Sequence, residues 1–187
     1  MKVSRPILGL ALVALLAVGV LGTGWNVVGQ RLLAPAATAR EGNPAPALHL
    51  PLLDGGSADL SRERGKVVLV NFWATWCEPC RAEMAGLQQL DHNLSADHFE
   101  LYAVDLEETS TAITPFRQQI GFTLPVLLDG DGAVSHAYGV RALPATFIVD
   151  RSGIVRDQRL GPLVSGDDTT PWSQAWVEAR VRQLLAS

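Results

Sequence analysis

Residues 66–80 have the sequence KVVLVNFWATWCEPC, in which an apolar run is followed closely by two cysteines, Cys77 and Cys80. The run, Val67–Trp73, is short and rich in β-branched residues, which predicts a strand buried on both faces. Beyond the cysteines, apolar residues recur at helical spacing, which predicts a helix over about Glu78–Leu94. The cysteine pair therefore lies where a strand passes into a helix.

The beginning of a helix suits a reactive thiol. The thiolate is the nucleophilic form, and the free N–H groups and about half a positive charge at a helix N-terminus favour it. Pro79 fits the first turn, because its fixed φ is helical and its missing N–H is not needed there. With two residues between them, Cys77 and Cys80 can close and reopen a disulfide, so we predict a redox pair.

A zinc half-site and an inert pair are the other interpretations of these cysteines. The spacing from Cys80 to His92 and His98 is close to that of a single zinc finger. A finger, however, carries its cysteines on a small hairpin and not after a buried strand. A single finger also binds nucleic acid weakly, and the net charge of −4 is unsuited to that partner. We therefore expect no metal and no cofactor apart from the cysteines, and no nucleic-acid partner.

Residues 1–30 are predicted to form a membrane anchor. Lys2 and Arg5 precede an uncharged, largely apolar stretch, and about 20 apolar residues cross a bilayer. The excess of positive charge before this stretch predicts a cytoplasmic N-terminus and an extracytoplasmic domain. A cleaved signal peptide is the alternative, because residues 37–39 offer a small-x-small site, but that site lies far beyond the apolar core.

The 187 residues, 48% of them hydrophobic, predict one domain with an N-terminal appendage. We expect a linker over 31–43 and the domain over 44–187. Within the domain, strands alternate with helices before a final hairpin and helix, which predicts an α/β sandwich with a mixed sheet. Besides the elements above, we predict an N-terminal hairpin with a glycine turn and a second hairpin of 145–150 with 154–160. Further strands are predicted at 99–105 and 125–128, and helices at 110–121 and 132–138. A last helix is predicted to begin with Thr170 as N-cap and Pro171 as its first residue, with Trp172, Trp176, Val181 and Leu184 on one side.

Three segments in order resemble one known family. They are NFWATWCEPCRAEM at 71–84, GVRALPATFIVDRSG at 139–153 and GNPAP at 42–46. Together they are similar to the membrane-anchored thioredoxin-like proteins of the TlpA/ResA/CcmG (DsbE) group, in the AhpC/TSA–redoxin superfamily. The resemblance covers roughly residues 41–187. It implies a thioredoxin-like three-layer sandwich with an N-terminal β-hairpin extension and one N-terminal transmembrane helix.

The resemblance implies a role for each residue of the CxxC motif. Cys77 is expected to attack a partner disulfide and Cys80 to resolve the mixed disulfide that results. Glu78 and Pro79 tune the pair, and the Glu78 carboxylate disfavours the neighbouring thiolate through like-charge repulsion. Glu-Pro fills this dipeptide in the ResA branch, which implies a reductant.

Glu83 matches an acidic residue that the family places near the cysteines. It follows Cys80 by three residues, so a helix puts the two side chains on one face. Thioredoxins themselves carry a buried aspartate on the central strand, where this chain has Asn71. The hypothesis is that Glu83 accepts the proton of Cys80 during resolution; the alternative is a solvated glutamate in the first turn.

Pro144 matches the family's cis-proline, which lies across from the CxxC motif, so that the backbone of Leu143 is presented to a bound peptide. The alternative is a trans proline at the beginning of a strand. Trp76 is expected to shield the disulfide and contact the partner, and Trp73 to belong to the core. Asp105, Glu107 and Glu108 are expected to be a solvated strand end; the alternative is a metal site, for which no second ligand cluster is visible. The histidines are expected to be incidental.

The implied activity is that of a membrane-tethered, extracytoplasmic thiol–disulfide oxidoreductase that reduces disulfides in partner proteins. Such a reductant needs electrons from across the membrane, and a CcdA/DsbD-type thiol carrier supplies them in the family. Family substrates include the haem-binding cysteines of apocytochrome c. Two alternatives are open: a peroxiredoxin-like thiol peroxidase, although such enzymes usually have threonine where this chain has Ala74, and a redox-silent module that binds proteins near Pro144.

Overall fold

The computed structural model describes residues 38–94, 98–167 and 169–187. A small antiparallel hairpin comes first, followed by a five-stranded sheet with four helices. The elements are β1 (His49–Pro51), β2 (Ser57–Asp59), β3 (Val67–Trp73), α1 (Glu78–Leu94), β4 (Phe99–Leu106), α2 (Ser110–Ile120), β5 (Val126–Asp129), α3 (Ala133–Tyr138), β6 (Ala145–Val149), β7 (Val155–Leu160) and α4 (Gln174–Leu185), with a 3₁₀ turn at Leu60–Glu63.

The main sheet has the strand order β5-β4-β3-β6-β7. Strands β3, β4 and β5 are parallel, whereas β6 and β7 are antiparallel to their neighbours. Every residue of the central strand β3 is buried, which explains its uninterrupted apolar sequence. The predicted mixed sheet is confirmed.

Both faces of the sheet are covered, which gives three layers. On one face Val67, Leu69 and Trp73 pack with buried residues of α1 and α4. On the other face Val68, Val70 and Phe72 pack with the N-terminal hairpin and α3. Alternate side chains of a strand point to opposite faces, so one seven-residue strand contributes to both cores.

Most of the predicted elements are confirmed, with bounds that shift by a residue or two. The C-cap of α2 is Gly121 with φ 69°, the left-handed conformation that glycine accepts readily. The β1–β2 hairpin and the β6–β7 hairpin are also formed.

The predicted start of the last helix is wrong. Helix α4 begins at Gln174, and its N-cap is Ser173, whose side chain accepts from Trp176 N–H. Trp172 has φ 64°, so the chain is not helical there. The Trp172 carbonyl accepts from Val164 N–H at 2.9 Å instead. Contact with the segment after β7 therefore overrides the helix-start preference of Thr170 and Pro171. The buried face of α4 consists of Val177, Val181 and Leu184.

Part of the predicted linker is packed against the domain. Ala39 is buried among the residues of the second core, and Gly42 N–H donates to Val155 O at 2.8 Å. The predicted anchor at 1–30 lies outside the described residues. Within the described ranges, no helix combines the length and the hydrophobicity that crossing a bilayer requires.

Candidate active site

Three strand ends meet at one edge of the sheet. β3 and β4 are parallel, with Trp73 opposite Asp105, so their carboxyl ends lie side by side. β6 runs the other way, and its first residue, Ala145, is opposite Phe72. The loop after β3, the loop after β4 and the residue before β6 therefore converge. The loop after β3 and the start of α1 carry the cysteine pair, the end of β4 and its loop carry the acidic residues Asp105 and Glu108, and Pro144 directly precedes β6.

The two cysteines form a disulfide at the beginning of α1. Cys77 occupies the N-cap position, where its carbonyl accepts from Arg81 N–H and its sulfur accepts from Cys80 N–H at 3.2 Å. Cys77 is 5% exposed and Cys80 is fully buried. The helix dipole and the direct N–H contact both favour negative charge on the Cys77 sulfur. Of the two sulfurs, that of Cys77 is the more accessible to a partner.

Glu83 is buried on α1, one turn beyond Cys80. Its Oε1 accepts from the Asn71 side-chain amide at 2.9 Å, and its Oε2 accepts from Leu163 N–H at 2.8 Å. Burial raises the pKa of Glu83 above that of an ordinary glutamate, while these two hydrogen bonds and the charge of Arg159 act in the opposite direction. The solvated alternative is therefore wrong, and Glu83 is a buried carboxyl on the same helix face as Cys80.

The Leu143–Pro144 peptide bond is cis, as the resemblance implied. Pro144 is buried, and its carbonyl accepts from Gly161 N–H at 2.8 Å. Leu143 is half-buried and packs against both cores. These two residues lie immediately before β6, at the edge of the sheet where α1 begins.

The two tryptophans beside the cysteines lie in opposite environments. Trp73 is fully buried, with its ring 5.7 Å from those of Phe116 and Phe122. Trp76, directly before Cys77, is 69% exposed. Glu78 and Pro79 are also exposed, and the Glu78 carboxylate lies 3.6 Å from Arg81. An exposed aromatic ring beside a reactive sulfur offers apolar contact area to a partner.

The predicted solvated strand end after β4 is wrong for Asp105, which is buried, and holds for Glu107, which is exposed; Glu108 is half-buried. Asp105 is fully buried, and its Oδ1 accepts from Glu108 N–H at 3.2 Å. The Glu108 carboxylate in turn accepts from the backbone N–H and the hydroxyl of Thr75, each at 2.6 Å. Burial, reinforced by the neighbouring Glu108 carboxyl, raises the pKa of Asp105 to about 8. The acidic pair therefore holds the loop that leads into Cys77.

This contribution of Asp105 and Glu108 was not predicted from the sequence. The signal was present, because Asp105 follows the apolar residues of a strand parallel to β3 and so ends at the same edge as the cysteines. Thr75, the residue after Ala74, was assigned no role from the sequence. Its hydroxyl is bound by Glu108, and Ala74 at the peroxidase position is a buried residue without a hydroxyl.

His92 and His98 do not complete a zinc site with the cysteines. Both cysteines are consumed in the disulfide. Among the residues that the structure describes, no three histidine, cysteine or acidic side chains are grouped as metal ligands would be. The chemistry of this edge lies with the sulfur pair.

A thioredoxin-like sandwich with a disulfide at the N-terminus of its first helix and a cis-proline beside it defines a class, the thiol–disulfide oxidoreductases. The model of the AhpC/TSA family matches residues 42–158. The chain belongs to this family, and its similarities lie with the ResA and DsbE proteins within it.

Two relatives illustrate the similarity. Thioredoxin-like protein YneN of Bacillus subtilis is 35% identical over 144 residues, which cover 75% of this chain and 83% of YneN. Thiol-disulfide oxidoreductase ResA of Geobacillus thermodenitrificans is 36% identical over 126 residues, or 67% of this chain and 72% of ResA. The protein is accordingly a thiol–disulfide oxidoreductase, and its redox group is a cysteine pair.

Solved structures support the same assignment. A Chlorobium tepidum protein assigned as thiol:disulfide interchange protein DsbE has a TM-score of 0.69 and 30% identity, covering 79% of this chain and 99% of its own. A thiol:disulfide interchange protein of the thioredoxin family from Chlorobium tepidum TLS has a TM-score of 0.65 and 26% identity, covering 80% and 99%.

Proposed function

We propose that the protein is a reductant of disulfides in partner proteins, with Cys77 as the nucleophile and Cys80 as the resolving thiol. One observation carries the proposal: the sulfur of Cys77 lies at the mouth of α1 and accepts the Cys80 N–H, while Cys80 is buried behind it. A thiolate at the first position is favoured by the helix, and the second thiol is reserved for the intramolecular step.

The proposed cycle moves two electrons from the cysteine pair to the partner. The Cys77 thiolate attacks one sulfur of the partner disulfide, which breaks that bond, forms a mixed disulfide and releases one partner thiolate. Cys80 then attacks the Cys77 sulfur and gives its proton to Glu83. The Cys77–Cys80 disulfide forms, the second partner thiolate leaves, and the partner is reduced.

Partner binding is proposed at the surface around the disulfide. Trp76, Glu78 and Pro79 are exposed on one side of it, and Leu143 with the cis-Pro144 lies at the same edge of the sheet. An extended peptide can pair with the backbone of Leu143 while the exposed Trp76 ring covers it. The carboxylate of Glu78 beside Cys77 disfavours the thiolate and so favours its oxidation, which suits a reductant.

The proposed site of action is the extracytoplasmic side of a membrane, with residues 1–30 as a retained anchor. The support is the apolar sequence of that segment and the placing of positive charge before it. Electrons would reach Cys77 and Cys80 by exchange with a CcdA/DsbD-type membrane thiol carrier. Apocytochrome c, whose haem-binding cysteines must be reduced before haem attachment, is the proposed substrate.

Covalent trapping in the native membrane tests this proposal. Cys80→Ser removes the resolving thiol, so mixed disulfides through Cys77 accumulate and can be identified by mass spectrometry. Cys77→Ser is the matched control and traps nothing. Recovery of an apocytochrome and a polytopic thiol carrier supports the proposed substrate and donor. Equal trapping by both variants contradicts the assigned roles of the two cysteines.

A further inference from the structure

The segment that follows β7, residues 161–163, touches both halves of the active site. Gly161 N–H donates to the carbonyl of cis-Pro144 at 2.8 Å. Two residues later, Leu163 N–H donates to Glu83 Oε2, also at 2.8 Å. A three-residue stretch of backbone thus joins the proline at the peptide-binding loop to the buried carboxyl beside Cys80.

A row of polar side chains leads across the sheet to this segment. Asn71 on β3 is opposite Thr146 on β6, and Thr146 is opposite Arg159 on β7. The amide of Asn71 donates to both Glu83 and Thr146, so the row lies on the α1 face of the sheet. Apolar residues would be expected at such positions under a helix. The row passes Glu83, and its Asn71 amide bonds directly to that carboxyl.

Arg159 holds the segment in place. Its Nε donates to the carbonyl of Pro162 at 2.8 Å, between the two residues that bond to Pro144 and Glu83. The φ of Gly161 is 111°, a left-handed conformation that lets the chain turn from β7 toward Glu83. Beyond Leu163, the backbone of Val164 pairs with that of Trp172. Both ends of the segment are thus fixed by hydrogen bonds.

We propose that residues 161–163, with Arg159, are a positioning element that fixes Glu83 relative to cis-Pro144 and sets how readily Glu83 takes the proton of Cys80. This proposal rests on the proposed function of Glu83 and extends it to residues outside the CxxC helix. Leu163 supplies a backbone donor to the carboxylate, and Arg159 supplies positive charge and holds Pro162.

The electrostatic surroundings of Glu83 give the direction of the effect. Arg159 is the charged side chain whose field reaches Glu83, and the other groups that act on the carboxyl are the Asn71 amide and the Leu163 N–H. Each of the three lowers the pKa of Glu83 against the opposing effect of burial. Loss of the Leu163 N–H or of the Arg159 charge therefore raises the pKa of Glu83, so the base becomes active only at higher pH.

The backbone donor can be removed selectively. Leu163→Pro deletes the N–H together with the side chain, whereas Leu163→Ala deletes most of the side chain and keeps the N–H. The reduced proteins are mixed with a thionitrobenzoate disulfide, which releases one coloured thiolate when Cys77 is modified and a second when Cys80 resolves the adduct. The pH midpoint of the second phase is the quantity to compare.

We expect the midpoint of Leu163→Pro to lie about one pH unit above that of Leu163→Ala, since one hydrogen bond to a charged group is lost. Arg159→Gln should shift the midpoint upward as well, by less, and Arg159→Lys should restore it partly. Arg156→Gln, on the same strand and paired with Asp150 instead, is the control for loss of charge and should leave it unchanged.

Two outcomes overturn different conclusions. If Leu163→Pro and Leu163→Ala share one midpoint, and Arg159→Gln matches Arg156→Gln, the positioning element is refuted while the roles of the cysteines stand. If the parent protein itself shows no second phase, the proposed resolution by Cys80 fails first. Circular dichroism of each variant shows whether it is folded, and Arg159→Gln decides the question should Leu163→Pro not fold.

Discussion

The side-chain amide of Asn71 lies 2.9 Å from the carboxyl of Glu83 and donates a hydrogen bond to it. The central strand thus presents a neutral donor, and the acid comes from the helix that carries the cysteines. Asn71 also donates to Thr146, so its amide group is fixed between two strands and a helix. The Glu83 carboxyl is thus held by a residue of the central strand, although Glu83 itself lies on α1.

Glu83→Gln should abolish the fall at low pH in the rate at which Cys80 resolves the mixed disulfide. Burial raises the pKa of Glu83, so the carboxylate that accepts the proton of Cys80 is lost as the pH falls through that value. A glutamine cannot accept the proton at any pH, and the rate should fall by about 100-fold. Single-turnover reduction of a peptide disulfide over a range of pH measures the rate of resolution. Glu41→Gln, an exposed carboxyl outside the site, is the control; matching profiles for the two variants would refute the role.

Asp105→Asn should stabilise the protein increasingly as the pH rises. The pKa of Asp105 is about 8 in the folded protein, well above its value in an unfolded chain. The folded state therefore binds the proton more tightly, and the free energy of unfolding falls as the pH rises from about 4 toward 8. Asparagine has nearly the same shape as aspartate but carries no ionisable group, so it avoids the loss of stability that ionising Asp105 causes. Urea unfolding should show a difference that grows to about 2–5 kcal/mol near pH 8. A constant difference from pH 5 to pH 9 contradicts the prediction.

Thr75→Val should destabilise the loop before Cys77. The variant loses the hydroxyl that donates to Glu108 at 2.6 Å and keeps the backbone N–H that donates to the other oxygen. A hydrogen bond to a partly buried charged group suggests a loss of about 1–2 kcal/mol. Thr109→Val is the control, because that hydroxyl is exposed, pairs with the Thr111 hydroxyl and makes no side-chain cap to α2. Thermal unfolding of both variants measures the difference, and equal midpoints would contradict the role of Glu108.

Leu87→Ala should cost about 2–5 kcal/mol of unfolding free energy, the usual range for a cavity in a packed core. Leu87 is fully buried on the face of α1 that packs against the sheet. Leu160→Ala, at a position that is 57% exposed, should change stability by no more than about 0.5 kcal/mol. Urea titration of the two variants compares them. Similar losses would mean that α1 is not packed as described.

Sequence and structure agree best where a local residue pattern is compatible with a single type of secondary structure. Val67–Trp73 and Glu78–Leu94 have the bounds that the sequence predicts, because a continuous apolar run and a helical repeat leave few alternatives. Cys77 lies between them and Cys80 in the first turn of the helix, so the position of the pair at a helix start follows from the same patterns. The resemblance in turn identified Glu83 and Pro144.

The disagreements arise where distant segments determine the conformation. Thr170 and Pro171 have the residue types that usually begin a helix. Because Ser173 pairs with Val164, however, the helix begins only at Gln174. Asp105 lies in an acidic segment that predicts a solvated strand end, yet its side chain is fully buried in the fold. The contribution of Leu163 is a backbone N–H, which no side-chain pattern can report. Such contacts follow from the tertiary fold and not from local spacing.

Alkylation of the reduced protein with iodoacetamide over a range of pH, followed by mass spectrometry, separates the two cysteines. The location of Cys77 at the helix mouth and its greater exposure predict that it is labelled before Cys80 as the pH is raised. Cys80, fully buried, should be protected in the folded protein. Preferential labelling of Cys77 supports its role as the nucleophile. Labelling of Cys80 first, or of neither cysteine, would contradict it.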